Sequence, residues 1–156
     1  MALAFRLAAP EDYPALESLT LDSFEPITWF RKVDERFGPL NGKDWRQRWR
    51  SRFRRAFDSQ RVLVGEADGQ IVAFASGTID TETALGFIDL LAVDPRCQGQ
   101  GYGREMLRGM LAYMKKQGAR HAHLECLTDN DTGNSLYRSE GFEVLACSNH
   151  WFLRIP

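Results

Sequence analysis

A chain of 156 residues has the length of one domain, long enough to bury a core and short for two. Its 44% hydrophobic and 26% charged residues are ordinary for a soluble globular fold, and a formal net charge of -1 excludes a global field for nucleic acid or membrane, so either partner would need a local patch. Cys97, Cys126 and Cys147 are odd in number and lack metal-ligand spacing, which argues against a disulfide framework and a zinc site and points to a reducing cytoplasm. Arg6 interrupts the apolar start and Glu11-Asp12 follows, so a secretory leader lacks its basic and apolar regions, and no stretch has the length of a membrane span.

In chain order, residues 4–7 read as a short strand. Pro10, Glu11 and Asp12 then open a helix that runs to about residue 19. Residues 22–42 mix Phe24, Pro26, Trp29, Phe30, Phe37 and Pro39 with charges and hold no period, which predicts an irregular or partly helical segment facing a substrate. Residues 43–57 carry Trp45, Trp49, Phe53 and Phe57 at i, i+4 spacing, one stripe of a helix, with six arginines (46, 48, 50, 52, 54 and 55) over its other faces. Arginines interleaved with rings also suit RNA, but stacking needs exposed rings and this stripe buries them; a solvated basic face over an aromatic core stripe is the favoured reading. Residues 61–65 and 70–77 are apolar strands joined by the hairpin signal Asp68-Gly69, and residues 86–93 form a third strand. A glycine loop, a helix over 105–117, a strand over 119–127, a helix over 132–139 and two last strands over 142–146 and 150–155 complete a mixed α/β pattern. Its early strands are antiparallel and it has one crossover. No repeat divides it, so residues 1–156 are read as a single domain.

The loop reads Val-Asp-Pro-Arg-Cys-Gln-Gly-Gln-Gly-Tyr-Gly-Arg over residues 93–104. Glycines at every second position before a helix bring bare N–H groups to a helix N-terminus, a place for phosphate oxygens. A dinucleotide fingerprint fails because the sixth position from Gly99 is Arg104, and a P-loop fails because no Lys-Ser or Lys-Thr follows. What remains is Gln98-x-x-Gly101-x-Gly103. It is preceded by a strand bearing Asp89 and followed by Asn130-x4-Ser135-Leu136-Tyr137-x3-Gly141-Phe142. Three motifs in this order resemble the GNAT acetyltransferases, most specifically over residues 87–142.

The resemblance implies an α/β fold with a twisted, mostly antiparallel sheet of six to seven strands flanked by about four helices, and acetyl-CoA as cofactor. It implies that backbone groups of Gln98, Gly99, Gln100, Gly101, Tyr102, Gly103 and Arg104 hold the pyrophosphate. It also implies a bulge and splay that free Leu91, Ala92 and Val93 for the pantetheine arm, with Asn130, Ser135 and Tyr137 along the same cofactor. The Arg104 side chain is expected to suit an anion. Acetyl transfer to an amine needs a proton acceptor, and Asp89 takes the position where many family members carry a Glu. Strand alternation places Phe87, Asp89, Leu91 and Val93 on one face, so Asp89 is expected either as an acid in apolar surroundings or as a carboxylate satisfied by a neighbouring backbone group or arginine. Glu125 is the second candidate base, on one face with His121 and His123, which have no third metal ligand. Tyr137 aligns with the tyrosine that protonates the leaving thiolate.

Trp29, Phe30 and Phe37, with Asp89, are the expected acceptor wall. The implied activity is transfer of an acetyl group to a primary amine of a small molecule or peptide by direct attack in a ternary complex. A non-catalytic acyl-CoA-binding module, and a protein- or ribosome-associated acetyltransferase using the arginine helix, stand as alternatives. That helix could also meet acidic substrate groups or the CoA 3′-phosphate. The acceptor's identity and the oligomeric state stay open, although many relatives form homodimers through their last strands, where Trp151 and Phe152 lie.

Overall fold

Alternating apolar residues make the strands two-faced, and each face is covered by its own layer of helices. The computed structural model describes residues 2–156. Strands β1 (Ala4–Leu7), β2 (Arg61–Ala67), β3 (Gln70–Asp80), β4 (Leu85–Val93) and β5 (His121–Leu124) form one five-stranded sheet in the order β1-β2-β3-β4-β5. Its pairs are antiparallel except β4 with β5, which are parallel and joined through α4 (Tyr102–Lys116). Helices α1 (Tyr13–Phe24), α2 (Trp29–Phe37) and α3 (Trp45–Ser59) cover one face, where Leu16, Trp49 and Phe53 pack with Val62, Val64, Phe74, Leu90 and Ala92. On the other face α4 lays Met106, Leu107, Met110 and Met114 over Leu63, Ala73, Ala75 and Ile88, and α5 (Asp131–Ser139) joins them through Leu136 and Tyr137. Among the described residues no helix is long and apolar enough to cross a membrane.

The Asp68-Gly69 hairpin forms as expected, with φ of 51° and 75° at its two corners. The aromatic stripe of α3 lies inward as well: Trp49 stacks on Phe24 at 4.9 Å, and Phe53 meets Tyr13 at 5.4 Å and Phe74 at 5.6 Å between ring centroids. Asp44 starts that helix with a capping box, its Oδ1 accepting from the Gln47 N–H while Gln47 Oε1 accepts from the Asp44 N–H, each at 2.9 Å. Most of its arginines are tied down, Arg46 to Glu25, Arg48 to Asp34, Arg50 to Glu17, Arg52 to Asp89 and Arg54 to Asp58. Among the described residues Arg55 stands in no ion pair.

Three expectations are corrected. The first helix, read to about residue 19, extends to Phe24 as α1, while the segment over 22–42, read as irregular or partly helical, is partly helical and holds α2. Thr28 caps α2 by accepting from the Phe30 N–H at 3.2 Å and takes the Trp49 Nε1–H at 2.6 Å, so a buried hydroxyl ties α2 to α3. Among the described residues the α-helices number five, against an expected about four. The last two strands, over 142–146 and 150–155, do not form: a strand needs a ladder, and this arm lies off the sheet against α2, His150 on Trp29 at 4.8 Å and Phe152 on Phe37 at 4.7 Å. The sheet therefore has five strands rather than six or seven.

The division into two cores predicts unequal costs on α3. Phe53→Ala, at a fully buried ring, should lower the urea-unfolding free energy by about 3–5 kcal/mol. Arg50→Ala, which loses an exposed 3.6 Å pair, should change it by under ~1 kcal/mol.

Candidate active site

The site begins with a bulge. Ser76 pairs with Leu90 and Gly77 with Ile88, leaving Asp89 as one extra residue in β4. Gly77 is required there, since a Cβ would lie 2.1 Å from the Phe87 carbonyl oxygen. The extra residue shifts the alternation: Leu90 and Ala92 turn toward α1 and α3, while Leu91 and Val93 pack with the α4 layer. Phe87, Asp89, Leu91 and Val93 therefore do not share one face, as simple alternation predicted.

The pairing of β4 with β5 ends at Ile88 and Leu124, at the same level as the bulge. β5 ends there as well, and from Leu90 to Val93 β4 is paired with β3 alone, which leaves its other edge open. Asp89 and Glu125 are the first residues past the last rung, Asp89 within β4 and Glu125 just after the end of β5. Asp89 Oδ1 accepts from Arg52 Nη2 and Oδ2 from Gln60 Nε2, both at 2.9 Å, so Asp89 sits among polar partners rather than apolar ones. Glu125 is exposed and, among the described residues, has no side-chain partner. His123 stacks on Phe87 at 4.8 Å.

From the end of that ladder β4 runs on into the glycine loop. Asp94 N–H donates to the Val72 carbonyl at 2.8 Å, and Asp94 Oδ1 accepts from the Arg96 N–H at 2.9 Å, closing a 3₁₀ turn over Pro95–Cys97. The Arg96 guanidinium holds the Asp94 carboxyl below its ordinary range. Gly101 then caps α4 at φ 83° with no side-chain acceptor. The first amide of α4 with a backbone acceptor is Glu105, which bonds to Gly101 at 3.1 Å, leaving the N–H groups of Tyr102, Gly103 and Arg104 free among the described residues. A Cβ at Gly99 or Gly101 would meet nothing within 4 Å, and one at Gly103 would meet Leu136 and Val93 at 3.7 and 3.8 Å. The loop is thus an open cradle of donors at the positive end of a helix, a fit for a diphosphate. Gln98 and Gln100 are exposed on it, with Gln98 Nε2 3.4 Å from the Val93 carbonyl oxygen. The Arg104 side chain does not face the cradle, as expected for an anion ligand, but turns to Ser139 and Glu140.

Asn130 caps α5, its Oδ1 accepting from the Gly133 N–H at 3.1 Å. Burial pushes the neighbouring Cys126 thiol up, and burial pushes the Tyr137 phenol up to about 12. Tyr137 packs edge-on to Phe142 at 5.9 Å, and Ser135 is exposed. Of the expected wall residues, Trp29 and Phe37 meet the C-terminal arm, whereas Phe30 turns into the core against Trp49 at 5.3 Å. Arg52, Gln60 and Glu140 escape a motif reading. The one trace of Glu140 in the sequence is that an acid follows α5 while Arg104 and Arg108 stand i, i+4 on α4.

A family model for the acetyltransferase (GNAT) family matches residues 21–142. The N-alpha-acetyltransferase RimI of Mycobacterium tuberculosis is 35% identical over 65 residues, 42% of this chain and 39% of that protein. A mycothiol acetyltransferase of Streptomyces bingchenggensis is 27% identical over 140 residues, 90% of this chain and 38% of that protein. The chain spans under two-fifths of the length of these curated relatives. Among solved structures, PaiA N-acetyltransferase of Thermoplasma acidophilum, in complex with coenzyme A, superposes with a TM-score of 0.66 at 20% identity, covering 92% of this chain and 91% of that one. An open edge of β4, an uncapped helix after a glycine loop and a family match over more than half the residues agree, and the chain belongs to the acetyltransferase (GNAT) family.

Proposed function

We propose that the chain is an acetyl-CoA-dependent N-acetyltransferase whose acceptor is an amine on a small molecule or peptide, attacking directly in a ternary complex. The observation that carries this reading is the open edge of β4 past the end of β5, leading to the free N–H groups of α4. The amides of Tyr102, Gly103 and Arg104 would hold the cofactor's diphosphate, and the open β4 edge at Leu91, Ala92 and Val93 would take its amide-bearing arm. Acetyl-CoA supplies an acyl thioester, and a free N–H on that edge would polarise its carbonyl. The names of the relatives, both acetyltransferases, point the same way.

Of the two acids past the last rung, Asp89 is engaged at both oxygens and Glu125 is open. We assign the amine's proton to Glu125, directly or through water, and give Asp89 the task of holding the bulge against α3. Tyr137 is the acid for the departing thiolate. With its phenol at about 12 it keeps its proton throughout the neutral range, so its donor form is lost only as pH rises toward that value.

Gly101→Asp should abolish acetyl-CoA binding in calorimetry, because a carboxylate would face the diphosphate cradle; unchanged affinity would remove the loop assignment. Tyr137→Phe should lower kcat roughly a hundredfold on an acceptor found by screening amines and peptides for CoA release, with the affinity for acetyl-CoA kept. A wild-type kcat in that variant would discard Tyr137 as the acid.

We also infer a homodimer. The arm alternates: His150, Phe152 and Arg154 lie toward α2, while Trp151, Leu153 and Ile155 stand 90%, 76% and 87% exposed. Burying that stripe from two copies, with the surface it meets, covers on the order of 1,500 Å² in total, the size of a stable interface. A second copy of this chain is the occupant that also closes the unpaired outer edge of β5. Light scattering should give twice 17.8 kDa for the wild type and 17.8 kDa for Trp151→Glu with Leu153→Glu; a monomeric wild type would sink the inference.

A further inference from the structure

Glu140, just past α5, belongs to no motif, yet its carboxylate is nearly buried, with 8% of the side chain exposed. Its Oε2 accepts from Arg108 Nε at 2.7 Å and its Oε1 from Arg108 Nη2 at 3.1 Å, a two-point pairing of guanidinium and carboxylate. Arg104 Nη1 closes on the same Oε1 and reaches Ser139 Oγ at 3.0 Å. The two arginines, Arg108 foremost, hold the Glu140 carboxyl below its ordinary range.

The placement of these partners gives the contact its meaning. Arg104 is in the first turn of α4, where its own N–H is one of the free donors of the cradle, and Arg108 is one turn further on. On the other side Glu140 ends the helix that carries Tyr137: its N–H bonds to the Leu136 carbonyl at 3.1 Å, and the Phe142 N–H bonds to the Tyr137 carbonyl at 3.0 Å. Leu136 meanwhile rests over the bare α-carbon of Gly103. The α5 helix buries no residue fully, so packing alone holds it weakly.

We propose that Glu140 is a positioning residue: its clamp on Arg104 and Arg108 fixes the helix bearing Tyr137 against the helix whose N-terminus holds the diphosphate. The clamp thereby sets the distance between proton donor and leaving sulfur. This rests on the acetyltransferase reading, in which Tyr137 acts on a thiolate whose place is set by the cradle. A displacement of about 1 Å in such a geometry costs on the order of a hundredfold in rate.

The test is amide exchange by mass spectrometry on the full chain, comparing wild type with Glu140→Ala and Glu140→Asp. Without ligand, Glu140→Ala should speed exchange over residues 131–139 by at least ~tenfold while α4 and the sheet exchange as in the wild type, and Glu140→Asp, which keeps the charge, should recover most of the protection. Acetyl-CoA affinity by calorimetry should survive in both variants. On an identified acceptor, Glu140→Ala should lower kcat by about tenfold to a hundredfold with KM for acetyl-CoA unchanged. Wild-type exchange over 131–139 in Glu140→Ala overturns the clamp, as does faster exchange spread evenly over α4 and the sheet, which marks ordinary destabilisation. Failure of the acetyltransferase reading looks different: the wild type itself would not bind acetyl-CoA, whatever Glu140→Ala does to α5.

Discussion

One extra residue in β4 governs this molecule. Asp89 interrupts the ladder with β3 at the level where the ladder with β5 ends, so the strand is re-aimed where its other edge becomes open. The bulge is possible because Gly77 leaves room for the Phe87 carbonyl, which a side chain would meet at 2.1 Å. Everything proposed for the site uses the edge so freed. The edge offers an unpaired strand, its far end leads to an uncapped helix, and two carboxylates follow the last rung.

The bulge is held from above by α3. Arg52 and Gln60 each engage one oxygen of Asp89, joining the middle of that helix and its C-cap to the strand. Arg52 also lies over the Trp49 ring at 4.7 Å, so the charge that meets Asp89 is braced by the aromatic stripe beneath it. The basic face of α3 thus works inward as much as outward. Five of its arginines reach acids on α1, on α2 with its approach, on α3 itself and on β4, fastening the helical layer to the sheet.

Patterns with a short period were legible in the sequence. The inward stripe of α3, the Asp68-Gly69 hairpin and the glycine loop before α4 each rest on contacts between near neighbours. The phase of β4 was not legible, because alternation assumes one residue per rung and a bulge breaks that count without changing composition. α2 was obscured because its N-cap, Thr28, is stabilised from a distance by Trp49 Nε1. The last two strands were placed along the chain with no partner identified for them. A strand is defined by its partner, and within one chain that arm has aromatic contacts with α2 instead. Glu140 and its arginines lie 36 and 32 residues apart, outside any motif window.

The glycines of the loop separate what the fold demands from what a ligand demands. At Gly77 the protein itself excludes a side chain. At Gly103, within a helix, a Cβ would make only ordinary contacts with Leu136 and Val93, so the fold would accept alanine there. At Gly99 and Gly101 the positive φ favours glycine, but the space beside each is empty. Among the described residues nothing lies within 4 Å of where a side chain would begin at Gly99 or Gly101, beside the free amides of α4. A helix beginning with unmet donors, with nothing polar of its own turned toward them, is stabilised when an anion completes its first turn. Arg104 could have supplied a charge at that end, but its side chain is committed to Glu140. The cradle is therefore built from backbone, and its arginine serves to hold α5, the helix of Tyr137, in reach of whatever the cradle binds.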